Sequence, residues 1–144
     1  MTAIAWIASF FGTCTLFTII LFVFTGLRAK RFARKSGLSA LIERYLASHS
    51  PVSERLPRQT IGLGELVLEK SCTVALDEEG LYLLPRTTST EYAPVLVPWA
   101  SFGPAVPGTI GDTMGMRLPV GDPPIAYITL PNDIYEATRH YLNA

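Results

Sequence analysis

The sequence predicts an α+β protein: an N-terminal transmembrane helix, a short amphipathic helix, a small, mostly antiparallel β-sheet and a C-terminal helix. Three observations predict it. Residues 3–27 carry no charged side chain, residues 38–46 place apolar side chains at helical spacing, and residues from 61 onward form short β-rich runs separated by Gly and Pro. With 49% hydrophobic and 17% charged residues, the 144-residue chain is too apolar for a disordered or fibrous protein.

Residues 3–27 form the predicted transmembrane helix. At about 1.5 Å per residue they span roughly 37 Å, which exceeds the roughly 30 Å hydrocarbon core of a bilayer. The alternative is a cleaved signal peptide, which has a positive n-region and an apolar core of about 7–15 residues. The apolar run here is longer and has no charged side chain before it. Within it, Ala5, Ser9 and Thr13 recur at every fourth position, a spacing that lets another helix approach closely.

Five basic residues follow the apolar run directly; they are Arg28, Lys30, Arg31, Arg34 and Lys35. The positive-inside rule places residues 28–144 in the cytoplasm, so we expect a single-pass protein of the cell (inner) membrane with its N-terminus outside. We expect the five side chains to contact the membrane surface, attracted by the unspecific charge of anionic lipid headgroups; specific phosphoinositide recognition is the alternative. From residue 36 onward, seven basic side chains face twelve acidic ones, so no nucleic-acid partner is expected.

A short amphipathic helix is predicted over residues 38–48, capped by Ser36 or Ser39 and ended before Pro51. Its apolar positions share one face; they are Leu38, Leu41, Ile42, Tyr45 and Leu46. This stripe either packs on the following domain or lies in the membrane interface, and we expect packing. Residues 50–60 have no period and contain two prolines, so residues 28–60 are predicted to be a juxtamembrane segment with a linker, and the domain to begin at residue 61.

Five or six strands are expected in the domain of residues 61–144. The candidate strands are residues 66–68, 72–76, 81–84, 94–99, 114–120 and 124–130. Residues 77–80 form the clearest hairpin turn, with Gly80 available for a positive φ, whereas residues 103–111 are rich in Gly and Pro and predict a loop. Asn132 is expected to cap a C-terminal helix that carries Ile134, Ala137, Tyr141 and Leu142 on one side.

Two phrases, residues 74–83 (VALDEEGLYL) and residues 95–102 (VLVPWASF), resemble the bacterial pleckstrin-homology-like and GRAM-like domains. In those domains a strand ends in a turn and a Gly-Leu-Tyr-Leu return strand, and a Pro-Trp-x-x-hydrophobic element follows. The resemblance covers about residues 61–142 and implies a strongly bent sheet closed at one end by the C-terminal helix, in a binding or scaffold module without catalytic residues. The chain departs from the lipid-binding members because only Lys70 stands where they have a Lys/Arg-rich hairpin.

The polar residues do not form a motif for catalysis, a cofactor or a metal. Asp77, Glu78 and Glu79 are consecutive and point in different directions, which predicts a solvated turn rather than a metal or acid/base site. His49 and His140 have no Cys or His at ligand spacing.

Two further pairs of residues have simple structural interpretations. Tyr82 and Trp99 are expected to fill the core of the sheet rather than to form an aromatic ligand platform. Cys14 lies in the predicted membrane helix and Cys72 in the domain, so the two cannot pair within one chain.

These observations predict a non-enzymatic, membrane-tethered interaction or scaffold module, in keeping with a small subunit of a membrane protein complex. Its expected partners are the lipid bilayer and a protein whose identity the sequence does not give. The alternative is a lipid- or ligand-binding sensor module. No catalytic residue, cofactor or metal is expected.

Overall fold

The structure, a computed structural model, describes residues 2–86 and 92–143, without the side chains of residues 2, 25–26 and 29–35. Its elements in chain order are α1 (Thr2–Ser36), α2 (Leu38–Tyr45), β1 (Leu56–Leu63), β2 (Leu66–Leu76), β3 (Gly80–Pro85), β4 (Val95–Pro98), a 3₁₀ turn (Trp99–Ser101), β5 (Val106–Ile110), β6 (Thr113–Val120), β7 (Ala126–Pro131) and α3 (Asn132–Leu142). The fold is α+β, which confirms the predicted class. The sheet among the described residues has seven strands, rather than five or six.

All neighbouring strands of the sheet are antiparallel, in the order β4-β3-β2-β1-β7-β6-β5. Strands β1 to β4 form one meander and strands β5 to β7 form a second. The two meanders join where β1 pairs with β7, at Gly62–Thr129 and Leu63–Ile128. The sheet is therefore open, with β4 and β5 as its edges.

An irregularity in the β1–β2 pair explains why the sequence divides β2 into two candidate strands. The register shifts twice between Leu56 and Ile61, and Arg58 and Lys70 adopt positive φ angles of 55° and 49°. The amide of Lys70 donates to the Thr60 hydroxyl at 3.0 Å, which satisfies a donor that leaves the regular ladder. Because a bulge of this kind breaks the alternation of side chains, β2 does not follow a period of two along its whole length.

One core draws on both meanders and two helices. Leu83 and Val97 from the first meander and Leu118 and Ile128 from the second are fully buried, and Ile134 from α3 joins them. Contact density divides the chain into two units, Met1–Arg31 and Phe32–Ala144. The compact second unit therefore includes α2 and begins well before residue 61.

Helix α2 packs on the sheet, as expected. Leu38 and Leu41 are fully buried in the core. The helix ends at Tyr45 rather than near residue 48, because Leu46 already pairs with Val95 in a β-bridge. At its start, the N-cap is Gly37, at φ 74°; the Ser36 hydroxyl accepts a hydrogen bond from the Leu38 amide at 3.2 Å.

Two segments predicted to be irregular are strands. Strand β1 begins at Leu56, inside the predicted linker, and its first residues are exposed and so lack an apolar pattern. Strand β5, Val106–Ile110, lies inside the predicted loop of residues 103–111. It is an edge strand, where a proline such as Pro107 is tolerated.

Helix α3 is present where expected, but its start and its buried face differ from the prediction. Pro131 occupies the N-cap position without a side-chain hydrogen bond, and Asn132 is the first helical residue rather than the cap. The buried side chains are Ile134 and Thr138, whereas Ala137 is exposed. The Thr138 hydroxyl donates to the Tyr135 carbonyl at 2.7 Å, which is why a polar residue is tolerated at this position.

Candidate functional site

Helix α1 exposes its apolar side chains on all sides. Residues Ala3–Phe24 have a mean hydropathy of 2.2, and none of them is buried. The large apolar side chains are exposed by half or more, with Trp6 at 77% and Phe22 at 82%. A helix of this length and composition is apolar enough to cross a membrane, and a signal sequence near an N-terminus has the same properties.

Three threonine hydroxyls inside this apolar stretch are satisfied by the helix itself. The hydroxyls of Thr13, Thr15 and Thr18 donate to the carbonyls of Ser9, Phe11 and Cys14, four residues earlier in each case. This pattern removes the hydroxyl donors from the surroundings of the helix. It also uses the Thr13 hydroxyl within the helix, on the strip of small residues that the sequence analysis considered for helix association.

The basic run continues α1 without a break in the backbone, since the helix extends to Ser36. The Arg28 side chain is exposed, and its guanidinium lies 5.6 Å from the centroid of the Phe24 ring. The side chains of Lys30, Arg31, Arg34 and Lys35 lie outside the described residues. Their predicted role at the membrane surface stays a prediction.

The turn between β2 and β3 differs from the expected solvated turn at one of its three carboxylates. Glu78 and Glu79 are exposed, but Asp77 is only 6% exposed. Its carboxylate accepts hydrogen bonds from the backbone amides of Ser53 at 2.9 Å and Val52 at 3.3 Å. Burial alone raises the pKa of Asp77, but hydrogen bonds from Ser53 and Val52, together with nearby His49, lower it below its ordinary value. Asp77 therefore fixes the segment before β1.

Trp99 connects this turn to Tyr141 of helix α3. The Trp99 indole N–H donates to the Asp77 carbonyl at 2.7 Å, and the indole stacks on Tyr141 of α3 with ring centroids 4.8 Å apart. Trp99 is half-buried and packs against the core, whereas Tyr82 is 4% exposed but lies on the opposite face of β3 from the core residues Leu81 and Leu83. Tyr82 is therefore buried as expected but not in the core cluster, and Trp99 connects the β2–β3 turn to α3.

We expect Asp77→Asn to destabilise the full chain in detergent micelles by about 1–3 kcal/mol at neutral pH, because it removes the charge of a buried carboxylate that accepts hydrogen bonds from two backbone amides. The folded-state pKa lies below the unfolded value, so this contribution is present above the ordinary Asp pKa of about 4 and is lost as the pH falls through the folded pKa. Urea unfolding at pH 7 and at steps below pH 4 measures it. A difference between wild type and variant that stays constant through the acid range contradicts the assignment; Glu78→Gln, at an exposed position of the same turn, is the control.

Cys72 lies in the core, and His49 and His140 each lie beside another side chain. Cys72 is a buried free thiol, and burial raises its pKa to about 12, so it is not an activated nucleophile. His49 Nε2 lies 3.4 Å from Glu79 Oε2 at the surface, and the His140 ring lies against Tyr141. Among the described residues, no three His, Cys, Asp or Glu side chains form a group that could hold a metal ion.

A groove on the outer face of the second meander contains the Arg117 guanidinium, one nitrogen of which is buried without a hydrogen-bond partner among the described residues. This groove, the Arg117 groove, has a volume of about 440 Å³ and is lined by Pro104, Val106, Arg117, Pro119, Pro124 and Tyr127. The Arg117 guanidinium lies 4.1 Å from the centroid of the Tyr127 ring. Its Nε atom is buried and has no hydrogen-bond partner in the described part of the chain.

The strand register explains how these side chains meet. Arg117 pairs with Val106 on one side and Thr129 on the other, while Pro119 pairs with Tyr127. Residues two apart on a strand share a face, so Arg117 and Pro119 project opposite to the buried Leu118. The sequence-based predictions do not include this site. The signal that predicts it is the alternation of residues 116–120, which places Arg117 on the face away from the core.

A second depression, of about 520 Å³, continues the groove. It shares Pro104, Pro119 and Pro124 with the Arg117 groove and adds Arg44 and Tyr45 from α2. Backbone hydrogen bonds from Gly103 to the Pro119 carbonyl at 2.9 Å and from Gly121 to the Ser101 carbonyl at 2.8 Å hold its floor together. The outer surface between α2 and β5 is thus a continuous concave region.

Comparisons of the chain with protein-family models, with curated proteins and with solved structures find no match in any of the three.

Proposed function

We propose that the chain is a membrane-tethered, non-enzymatic interaction module, in which α1 is the anchor and residues 32–144 recruit a protein partner. One observation carries the anchor: the apolar side chains of Ala3–Phe24 are exposed, while residues 32–144 form a separate unit with a core of their own. Exposed apolar surface of this extent requires a covering of lipid or protein. Lipid meets this requirement along the whole length of the helix.

The proposed unit at the membrane is a pleckstrin-homology-like domain. Two successive meanders, joined between β1 and β7 and followed by a C-terminal helix that contributes Ile134 to the core, support this proposal. The Gly-Leu-Tyr-Leu segment begins β3 directly after the β2–β3 turn, and the Pro-Trp element stands at the end of β4, in the order that the resemblance implies. A scaffold role is further supported by the β2–β3 turn, whose Asp77 carboxylate binds backbone amides of its own chain.

The proposed orientation places the N-terminus outside the cell membrane and residues 28–144 in the cytoplasm, on the basis of the five basic residues after the apolar run. A reporter enzyme that is active only in the cytoplasm, fused after Ala144, is expected to be active. The matched control is the same fusion with the five basic residues replaced by Gln, for which we expect mixed orientation. Activity of a reporter that requires the outer side of the membrane contradicts the proposed orientation.

The experiment that tests the function is a pull-down of the full, C-terminally tagged chain from membranes in gentle detergent, with protein and lipid analysis of the eluate. The control chain has residues 1–36 joined to an unrelated soluble domain. A stoichiometric protein that co-purifies with the full chain but not with this control supports the interaction module. A defined lipid in place of a protein overturns it in favour of the sensor module. An eluate with neither overturns both.

A further inference from the structure

The Arg117 groove contains a cation that no carboxylate of the described residues neutralises. Arg117 has no carboxylate within ion-pair distance among the described residues, and its Nε–H is buried without an acceptor. Because Nε is buried, a ligand in the groove meets the terminal nitrogens of the guanidinium rather than Nε. Stacking on the Tyr127 ring holds the guanidinium at this position but does not supply a hydrogen-bond acceptor.

The walls of the groove are apolar. Val106 is 50% exposed and Tyr127 37% exposed, and three prolines complete the lining. No carboxylate is among the described residues that line it. The volume of about 440 Å³ lies within the range of about 300–1,000 Å³ that is usual for binding pockets. The groove therefore offers one planar cation surrounded by apolar contact surface.

These features favour a peptide over a lipid headgroup. The residues from 36 onward carry an excess of negative charge, which repels the many charges of an anionic membrane surface more strongly than the one carboxylate of a peptide. A polyanionic headgroup is bound by clusters of cations, whereas the lining of this groove holds Arg117 alone among its described residues. A single guanidinium matches a single carboxylate, which it binds with paired hydrogen bonds.

We propose that the Arg117 groove binds an extended segment of a partner protein that has one carboxylate flanked by apolar side chains, with Arg117 as the group that binds the carboxylate. This proposal rests on the proposed function and names the surface and the kind of partner that it requires. Val106 and Tyr127 contact the apolar side chains on either side of the carboxylate. The neighbouring depression beside Arg44 and Tyr45 receives the continuation of the segment.

The probe is a random heptapeptide phage library, selected on the full chain in lipid nanodiscs. We expect the selected peptides to share one Asp or Glu next to apolar residues. A synthetic peptide of that sequence should bind Arg117→Gln about 10- to 100-fold more weakly than wild type, because a charge-assisted hydrogen bond is lost. Arg55→Gln, a change at an exposed arginine outside the groove, should bind as wild type does.

A second pair of variants separates binding from folding. Val106 lies opposite Arg117 in the register and is half-exposed, so Val106→Asp places a carboxylate beside the guanidinium with little effect on the core. We expect Val106→Asp to abolish binding of the peptide, and Val106→Asn, which removes the same apolar contact without adding a charge, to weaken binding much less. Equal loss in both variants contradicts charge recognition by Arg117.

Other results overturn the proposal. Selected peptides without a carboxylate, or peptides that bind Arg117→Gln and wild type equally, show that the groove is not the site. Binding to vesicles of phosphatidylglycerol and phosphatidylcholine that depends on Arg117, without peptide binding, assigns the groove to a lipid headgroup instead.

A partner retained equally by wild type and Arg117→Gln in the pull-down overturns the groove as the binding site and leaves the proposed function standing. A pull-down without protein overturns the proposed function, whatever peptides bind.

Discussion

Gly80→Ala is expected to destabilise residues 32–144 by at least about 3 kcal/mol. A Cβ atom at Gly80 lies 2.1 Å from the Val97 carbonyl oxygen and 2.7 Å from its carbon. Over-packing usually costs about 1–3 kcal/mol, but here the obstacle is the backbone of a paired strand rather than a side chain that can rotate away. Relief requires β3 and β4 to separate, which disrupts the Gly80–Pro98 pair.

Gly111→Ala is the matched control for this change. Gly111 has a φ of 59°, but a Cβ atom there meets nothing within 4 Å. We expect a cost of about 1–2 kcal/mol, from backbone strain alone. Chemical unfolding of the full chain in detergent micelles measures both variants. A Gly80→Ala variant no less stable than Gly111→Ala contradicts the close approach of β3 and β4.

Leu41→Ala is expected to cost about 2–5 kcal/mol, because it leaves a cavity under α2 in a fully buried position. The result tests whether α2 is part of the folded unit or lies in the membrane interface, the two alternatives that the sequence left open. In the interface, the same change removes lipid contacts and leaves the free energy of unfolding of the sheet unchanged.

Leu46→Ala deletes the same atoms just after the end of α2, at a side chain that is 58% exposed. We expect its effect on the free energy of unfolding to stay within about 0.5 kcal/mol of zero. Equal, small effects of Leu41→Ala and Leu46→Ala contradict the packing of α2 on the sheet.

The sequence predicts the elements whose signal is local. The apolar stretch before Arg28, the stripe of Leu38 and Leu41, and the hairpin turn at residues 77–80 all depend on neighbours along the chain. Even there, the reason assigned to Gly80 is wrong. The structure gives Gly80 no positive φ, and the residue is glycine because Val97 of another strand approaches it.

The elements that sequence analysis missed depend on pairing at a distance. Strand β5 contains Pro107 and Gly108 and has no apolar alternation, so it is defined by its pairing with β6. The Arg117 groove depends on the same registers, which bring Val106 and Tyr127 to either side of Arg117. Asp77 is buried because residues 52–53, which have no period in the sequence, lie across its turn.

The central claim is that α1 remains in the chain as a membrane anchor, and mass spectrometry of the chain in alkali-washed membranes tests it most directly. Alkaline carbonate removes peripheral proteins but leaves spanning helices in the bilayer. The account predicts that the chain stays in the washed membranes and that its intact mass includes residues 3–24. A soluble chain that has been cleaved after the apolar run contradicts the account and identifies α1 as a signal sequence.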